Sequence, residues 1–322
     1  MKKLLLCALI VLMCVGTLFA GGGRDSAAGS KPRVGVVLGA MTNKFHTEMR
    51  QVVDAAVAYH PDISWTIRNP QNATDQINML TTFRNDRYDV MVIMPIDGNL
   101  VVPMVEAIMG DGTPVVLINR RIASDNYTSF VTGDNVGGGA NAARLLAERL
   151  GERGDIGVLR MIPGTPIDMD RYAGFVSVIS RFPNIRIIGE ADGGTNRETG
   201  LAGMTQLLQA NPRMDAIFSM DDEVAIGALT AIQNARRTDI RYLTGFGGDR
   251  EVFNIYRDQA AGRPHSTAPL YVATMSYFPS LATEAIEAAV RIVRGIPVQK
   301  DIITGSIPVG SWNVEQYYNF SY

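Results

Sequence analysis

Residues 33–59, RVGVVLGAMTNKFHTEMRQVVDAAVAY, decide the architecture. The run Arg33–Leu38 is short and β-branched, with no polar alternation, as in a strand buried on both faces. From Lys44 to Tyr59 the apolar residues return at helical spacing instead. A strand that feeds a helix through a short polar loop is the first part of a βαβ unit. The same rhythm continues with strand-like runs at Ile63–Arg68, Asp89–Met94 and Pro114–Asn119, separated by helical patterns over Ala73–Asp86 and Leu100–Met109. It then starts again. Strands are predicted at Asp155–Met161, Ile185–Glu190, Asp215–Met220 and Arg241–Gly245, with helices near Val136–Leu150, Met169–Phe182, Arg197–Ala210 and Glu223–Ala235. A last strand, Leu270–Met275, leads into a helix that ends near Arg294, where Gly295 should cap it. The expected fold class is α/β: two Rossmann-like lobes in succession, each with a central, mostly parallel sheet.

Composition bounds the function. The chain has 322 residues, a formal charge of −2 and 46% hydrophobic residues, enough for two packed cores and too little basic charge for a nucleic-acid binder. Residues 1–20 begin with Lys2 and Lys3, continue as an apolar run from Leu4 to Phe19 and exit at Ala20, the pattern of a secretory signal peptide. Residues 21–30 are rich in Gly, Ala and Ser and read as a flexible tether. Both cysteines, Cys7 and Cys14, fall inside the leader, so neither a disulfide nor a catalytic thiol is expected after cleavage. Lipid anchoring at Cys14 is the less favoured alternative, because Met13 stands where a small residue is needed. The expected destination is the periplasm.

The usual catalytic signatures are missing. There is no G-x-S-x-G elbow, no phosphate-binding P-loop and no H-E-x-x-H pair, and the three histidines, His46, His60 and His265, are scattered. The glycines of 133–139 and 245–248 do not spell a dinucleotide fingerprint and read as tight turns. No cofactor and no metal is expected. The pairs Asp168/Asp170 and Asp221/Asp222 could serve acid–base work, although adjacency in sequence does not set the separation that glycoside cleavage needs. Asp221 has a second role open to it, capping the helix that starts at Glu223.

In doubly wound sheets, function is carried by the loops at the carboxyl ends of the strands. At those points the chain resembles the type I periplasmic sugar-binding proteins of ABC transporters, of the ribose- and galactose-binding kind, which share a core with lac-repressor-type regulators. The resemblance runs from about Lys31 to Gly310 and rests on MTNKF at 41–45, VLINR at 116–120, TGDNVGGG at 132–139, DRYAGF at 170–175 and MDDEVAIGAL at 220–229. It implies that Asn43 hydrogen-bonds the ligand, that Phe45 stacks on a sugar ring with His46 beside it, and that Asn119 and Arg120 contact the ligand from the first lobe. Arg171 and Asp221 would do so from the second. Asp249 and Tyr277 complete the expected set, standing near positions where the family has an acidic residue and a Gln. The acidic residue expected immediately after Phe246 is replaced by Gly247, and the aromatic expected after the strand 185–190 is replaced by Ala191-Asp192-Gly193, leaving Trp312 or Tyr277 to supply a second plate. Two Arg facing one Asp also leave room for a ligand bearing a carboxylate or phosphate.

The resemblance further implies a first lobe of residues 31–133 plus 277–294 and a second of 134–276 plus 295–322, joined by a three-strand hinge with crossings near Gly133/Asp134, Ser276/Tyr277 and Arg294/Gly295. Ligand would bind between the lobes of a monomer and close them for an ABC permease, with no bond made or broken. The rivals are a subunit presenting ligand to a chemoreceptor or sensor kinase, and an exported carbohydrate-active enzyme using Asp168 and Asp221.

Overall fold

The computed structural model describes residues 30–263 and 270–322, so the expected leader and nearly all of the tether lie outside the described residues. The first sheet is built from β1 (Arg33–Val37), β2 (Ser64–Arg68), β3 (Val90–Ile93), β4 (Val115–Ile118) and β5 (Ser129–Gly133). Helices α1 (Lys44–Val57), α2 (Ala73–Asn85) and α3 (Val102–Gly110) connect its first four strands. The second sheet follows with α4 (Asn135–Leu150), β6 (Arg153–Arg160), α5 (Pro166–Ile179), β7 (Asn184–Asp192), α6 (Arg197–Ala210), β8 (Ala216–Ser219), α7 (Asp222–Asn234), β9 (Tyr242–Gly247), α8 (Arg250–Ala260) and β10 (Leu270–Ser276). The chain ends in α9 (Leu281–Val293), β11 (Asp301–Thr304), β12 (Pro308–Val309), α10 (Val314–Tyr317) and a 3₁₀ turn at Tyr318–Phe320.

The strand orders are β11-β5-β4-β3-β1-β2 and β12-β10-β9-β8-β6-β7. Every pairing is parallel except β10 with β12. This is the α/β architecture expected of the sequence. The strand order reverses between β1 and β3 in one sheet and between β6 and β8 in the other, so the loops after these strands diverge and open a crevice at each switch point.

The chain leaves the first sheet at Gly133/Asp134 and returns at Ser276/Tyr277, where β10 ends and α9 packs back on β3, β4 and β5. The third passage is not at Arg294/Gly295. Residues 301–304 form β11, which pairs in parallel with β5 from Asp301↔Phe130 to Thr304↔Gly133, so the crossing lies in residues 305–307 and the segment 295–304 belongs with the first lobe. Gly295 does end α9, with φ of 68° and the Ile296 N–H donating to the Arg291 carbonyl at 2.8 Å.

Among the described residues, β5, β11, β12, α8, α10 and the 3₁₀ turn were not anticipated. The glycines of α4 also differ from the turn reading. A Cβ at Gly138 would sit 2.3 Å from the Phe246 ring, and one at Gly139 would sit 2.0 Å from the Arg171 carbonyl oxygen. These glycines let α4 approach α5 and β9 closely, setting the depth of the second lobe's wall. Phe175 and Phe218, both fully buried, stack at 4.3 Å beneath it. Among the described residues no helix is long and apolar enough to cross a membrane.

Candidate functional site

The crevices of the two sheets face each other across one cavity of about 40 Å³, lined by Asn43, Phe45, His46, Asn119, Arg120, Arg171, Asp221 and Tyr277 together with Met161, Ile167, Thr195, Phe246, Gly247 and Tyr322. It shares Arg120, Met161, Ile167 and Thr195 with a wider part of the cleft, about 230 Å³, toward Ile96, Asn99 and Ile162.

From the first lobe, the loop after β1 ends at Asn43, whose extended backbone and Oδ1, accepting from the His46 N–H at 2.9 Å, cap α1. That cap turns Phe45 and His46 into the cavity. The His46 Nδ1 lies 2.8 Å from the Ala40 carbonyl oxygen, which can only accept, so Nδ1 carries the ring proton and Nε2 is left as an acceptor. Burial, with Arg120 nearby, lowers the His46 pKa to about 4, so the ring is neutral at physiological pH. Asn119 follows β4 with φ of 67°, a left-handed conformation that Asn tolerates better than most residues. This bend brings the buried Asn119 amide to the Tyr277 hydroxyl, which donates to Oδ1 at 2.8 Å and also lies 3.1 Å from Thr132 Oγ1. Among the described residues the Arg120 guanidinium donates only to the Ile96 carbonyl, at 3.3 Å, and its burial lowers its pKa.

From the second lobe, Arg171 projects from α5. Its Nε donates to Asn135 Oδ1 at 2.9 Å and its Nη1 to the Met220 carbonyl, and the guanidinium lies flat against Phe246, 3.7 Å from the ring centroid. Nη2 has no hydrogen-bond partner among the described residues. Asp221 caps α7, its Oδ1 accepting from the Glu223 and Val224 N–H groups at 2.9 and 3.3 Å. Burial, with Asp222 beside it, raises the Asp221 pKa to about 7 against the opposing pull of Arg171. None of Arg120, Arg171 and Asp221 makes an ion pair among the described residues.

A cavity with planar donors, a carboxylate, a neutral imidazole acceptor and aromatic faces suits a small, polyhydroxylated molecule, whose rim is hydroxyl and whose face is C–H. Residues 34–295 match the family described as the periplasmic binding protein domain. This chain belongs to the periplasmic binding protein family. It is 28% identical over 283 residues to the ribose import binding protein RbsB of Bacillus subtilis (strain 168), an alignment that covers 87% of this chain and 88% of that protein. Among solved structures, the binding protein of the arabinose ABC transporter from Shewanella sp. ANA-3 superposes with a TM-score of 0.79 at 24% identity, covering 89% of this chain and 94% of that one. The fructose-binding periplasmic domain of a hybrid two-component system does so with the same TM-score and identity, covering 89% and 93%.

In this binding protein one expected site residue lies elsewhere. Asp249 does not line the cavity: it is fully buried at the start of α8, where Oδ1 accepts from the Glu251 N–H at 2.7 Å and Oδ2 pairs with Lys44 Nζ at 2.8 Å. Trp312 is half exposed with Arg149 over its ring and supplies no plate to the cavity. Arg171 is not paired with Asp168, which is held by Arg160 through two contacts of 2.8 and 2.6 Å. Met161 and Thr195 were legible in principle, since each follows a strand of the second sheet. Tyr322 was not, because nothing in the sequence near it marks a strand end.

Proposed function

We propose that this periplasmic binding protein captures a monosaccharide or a close polyol relative between its lobes, outside the cytoplasmic membrane, and delivers it to an ABC permease. The observation that carries the reading is the convergence of eight residues from five separate segments on one cavity in which, among the described residues, Arg120, Arg171 and Asp221 have no ion-pair partner. Buried charges left in that state need a ligand to satisfy them. The relatives support the substrate class: the Bacillus subtilis protein is named for ribose import and the Shewanella protein for an arabinose transporter. The family and the leader-like residues 1–20 support the compartment. No step of the reading requires a covalent change in the ligand.

A thermal-shift screen against D-ribose, D-allose, L-arabinose, D-fructose, myo-inositol and xylitol tests it. A ligand at about 100 times its Kd adds roughly 2.7 kcal/mol of stability. One strong hit with the ligand recovered unchanged is the expected result. A flat screen, or recovery of a cleaved or isomerised product, overturns it.

The fructose-binding neighbour belongs to a signalling system, and the same capture could serve a sensor kinase or chemoreceptor. Loss of radiolabelled ligand uptake on deleting this protein's gene supports import. Intact uptake with loss of a ligand-induced transcriptional or chemotactic response supports the sensory role.

A further inference from the structure

The wall of the cavity between β9 and Phe45 is made by a residue far from every strand end. Tyr322 is held on the second lobe by its own backbone: its N–H donates to the Gly248 carbonyl at 3.2 Å and its carbonyl accepts from the Arg250 N–H at 2.7 Å. Arg250 Nη2 also reaches the Ser321 carbonyl at 2.7 Å. The ring then crosses the cleft. It meets Phe45 of the first lobe edge-on at 5.7 Å between centroids, with Lys44 Nζ 5.7 Å from its own centroid.

The hydroxyl occupies space that exists because residue 247 has no side chain. A Cβ on Gly247 would lie 2.8 Å from the Tyr322 hydroxyl oxygen, and the φ of 148° there already disfavours other residues. That hydroxyl lines the cavity and takes no hydrogen-bond partner among the described residues. Burial, with Asp221, Asp222 and Asp249 around it, drives the phenol pKa well above 10, so it stays protonated and can both donate and accept.

We propose that Tyr322 is a ligand-contacting residue of the cleft, presenting an aromatic edge and a free phenolic hydroxyl to a hydroxylated ligand from the position that a side chain at 247 would otherwise fill. The proposal rests on the cavity being the sugar site. The ring is anchored on the second lobe and touches Phe45 of the first, so a ligand held between the lobes meets it. A hydrogen bond is directional, so this hydroxyl discriminates among ligands by the position of one of their hydroxyls.

The test is calorimetric titration of the full chain with the same six probes, D-ribose, D-allose, L-arabinose, D-fructose, myo-inositol and xylitol, for wild type, Tyr322→Phe, Tyr322→Ala and the control Tyr318→Phe, whose hydroxyl bonds Asn254 away from the cavity. Loss of one buried hydrogen bond predicts about a tenfold weaker Kd for the best probe in Tyr322→Phe, and a compressed ranking across the probes. Tyr322→Ala loses more, and Tyr318→Phe stays within about twofold of wild type. Wild-type affinities and ranking in Tyr322→Phe overturn the proposal while leaving the sugar reading in place. Binding of none of the probes by wild type overturns the sugar reading, and the proposal with it.

Discussion

Lys44 Nζ lies 2.8 Å from Asp249 Oδ2, and the two residues belong to opposite lobes: Lys44 opens α1 beside the first sheet and Asp249 caps α8 beside the second. Asp249 is fully buried, whereas the Lys44 side chain is 38% exposed. The pair bridges the two lobes next to Tyr322, so if the lobes open about a hinge, as proposed for ligand capture, it would be broken and would favour the closed arrangement. An ion pair with one buried member contributes about 1 kcal/mol, and removing its cation leaves a carboxylate oxygen without its partner.

Lys44→Met keeps the aliphatic stem and removes the charge. The ligand-free protein is expected to open, with a larger radius of gyration by small-angle scattering, and the affinity for its best ligand to fall about fivefold as the closed population shrinks. The effect should be screened out of the wild type by raising salt, and the variant should be salt-insensitive. Equal radii and equal affinities in the two proteins would mean that the pair does not bias closure.

The cavity holds two titrating groups whose shifts oppose each other. His46, lowered to about 4, binds its proton less well when folded, so it adds stability as pH rises from about 4 to its unfolded value near 6.5. Asp221, raised to about 7, holds its proton when folded after the unfolded chain has lost it, so it removes stability as pH rises from about 4 to 7. In wild type the two nearly cancel up to pH ~6.5. Chemical denaturation of His46→Gln should expose a stability that falls with pH, and of Asp221→Asn one that rises, each by at most about 1.4 kcal/mol per pH unit. Parallel pH profiles in the two variants would refute the assignment of these protonation states.

Asn119 combines a left-handed backbone with a buried amide that accepts from the Tyr277 hydroxyl. Asn119→Gly relaxes the backbone but loses the amide, and Asn119→Ala loses the amide and adds strain of about 1 kcal/mol. Both should weaken ligand binding, because the cavity loses the Asn119 amide and the Tyr277 hydroxyl keeps only Thr132 Oγ1 to orient it, and the Ala variant should unfold at lower urea than the Gly variant. An Ala variant as stable as the Gly variant would show that the bend is not a strained one.

What the sequence made legible follows from the physics of parallel sheets. Strands such as Val115–Ile118 are buried on both faces and therefore read as unbroken apolar runs, and the helices between them carry a 3.6-residue period. The run Ser129–Gly133 escaped because a strand of SFVTG offers two apolar residues between small polar ones and abuts a helix cap. Asp301–Thr304 escaped for another reason: it is an edge strand whose partner, β5, lies far away in sequence, and its register cannot be inferred from local pattern. That omission moved the third crossing ten residues too early. At the site, the resemblance named Asn43, Asn119, Arg120 and Asp221 in strand-end loops, and all four line the cavity. Asp249 sits in the same kind of loop, yet its carboxylate turns away to cap its helix and meet Lys44. Loop position selects candidates, and the direction of the side chain is decided by capping bonds that only the folded chain reveals.

The most direct test of the account is a calorimetric titration of the wild type, Arg171→Ala and Asp221→Ala with whichever of D-ribose, D-allose, L-arabinose, D-fructose, myo-inositol or xylitol gives the largest thermal stabilisation. If Arg171 and Asp221 hold a buried, hydroxylated ligand between the lobes, wild type binds one molecule per chain and each substitution weakens binding more than about tenfold, because a buried partner is left unsatisfied. Unchanged affinity in both variants, measured on folded protein, would place the ligand outside this cavity and contradict the account.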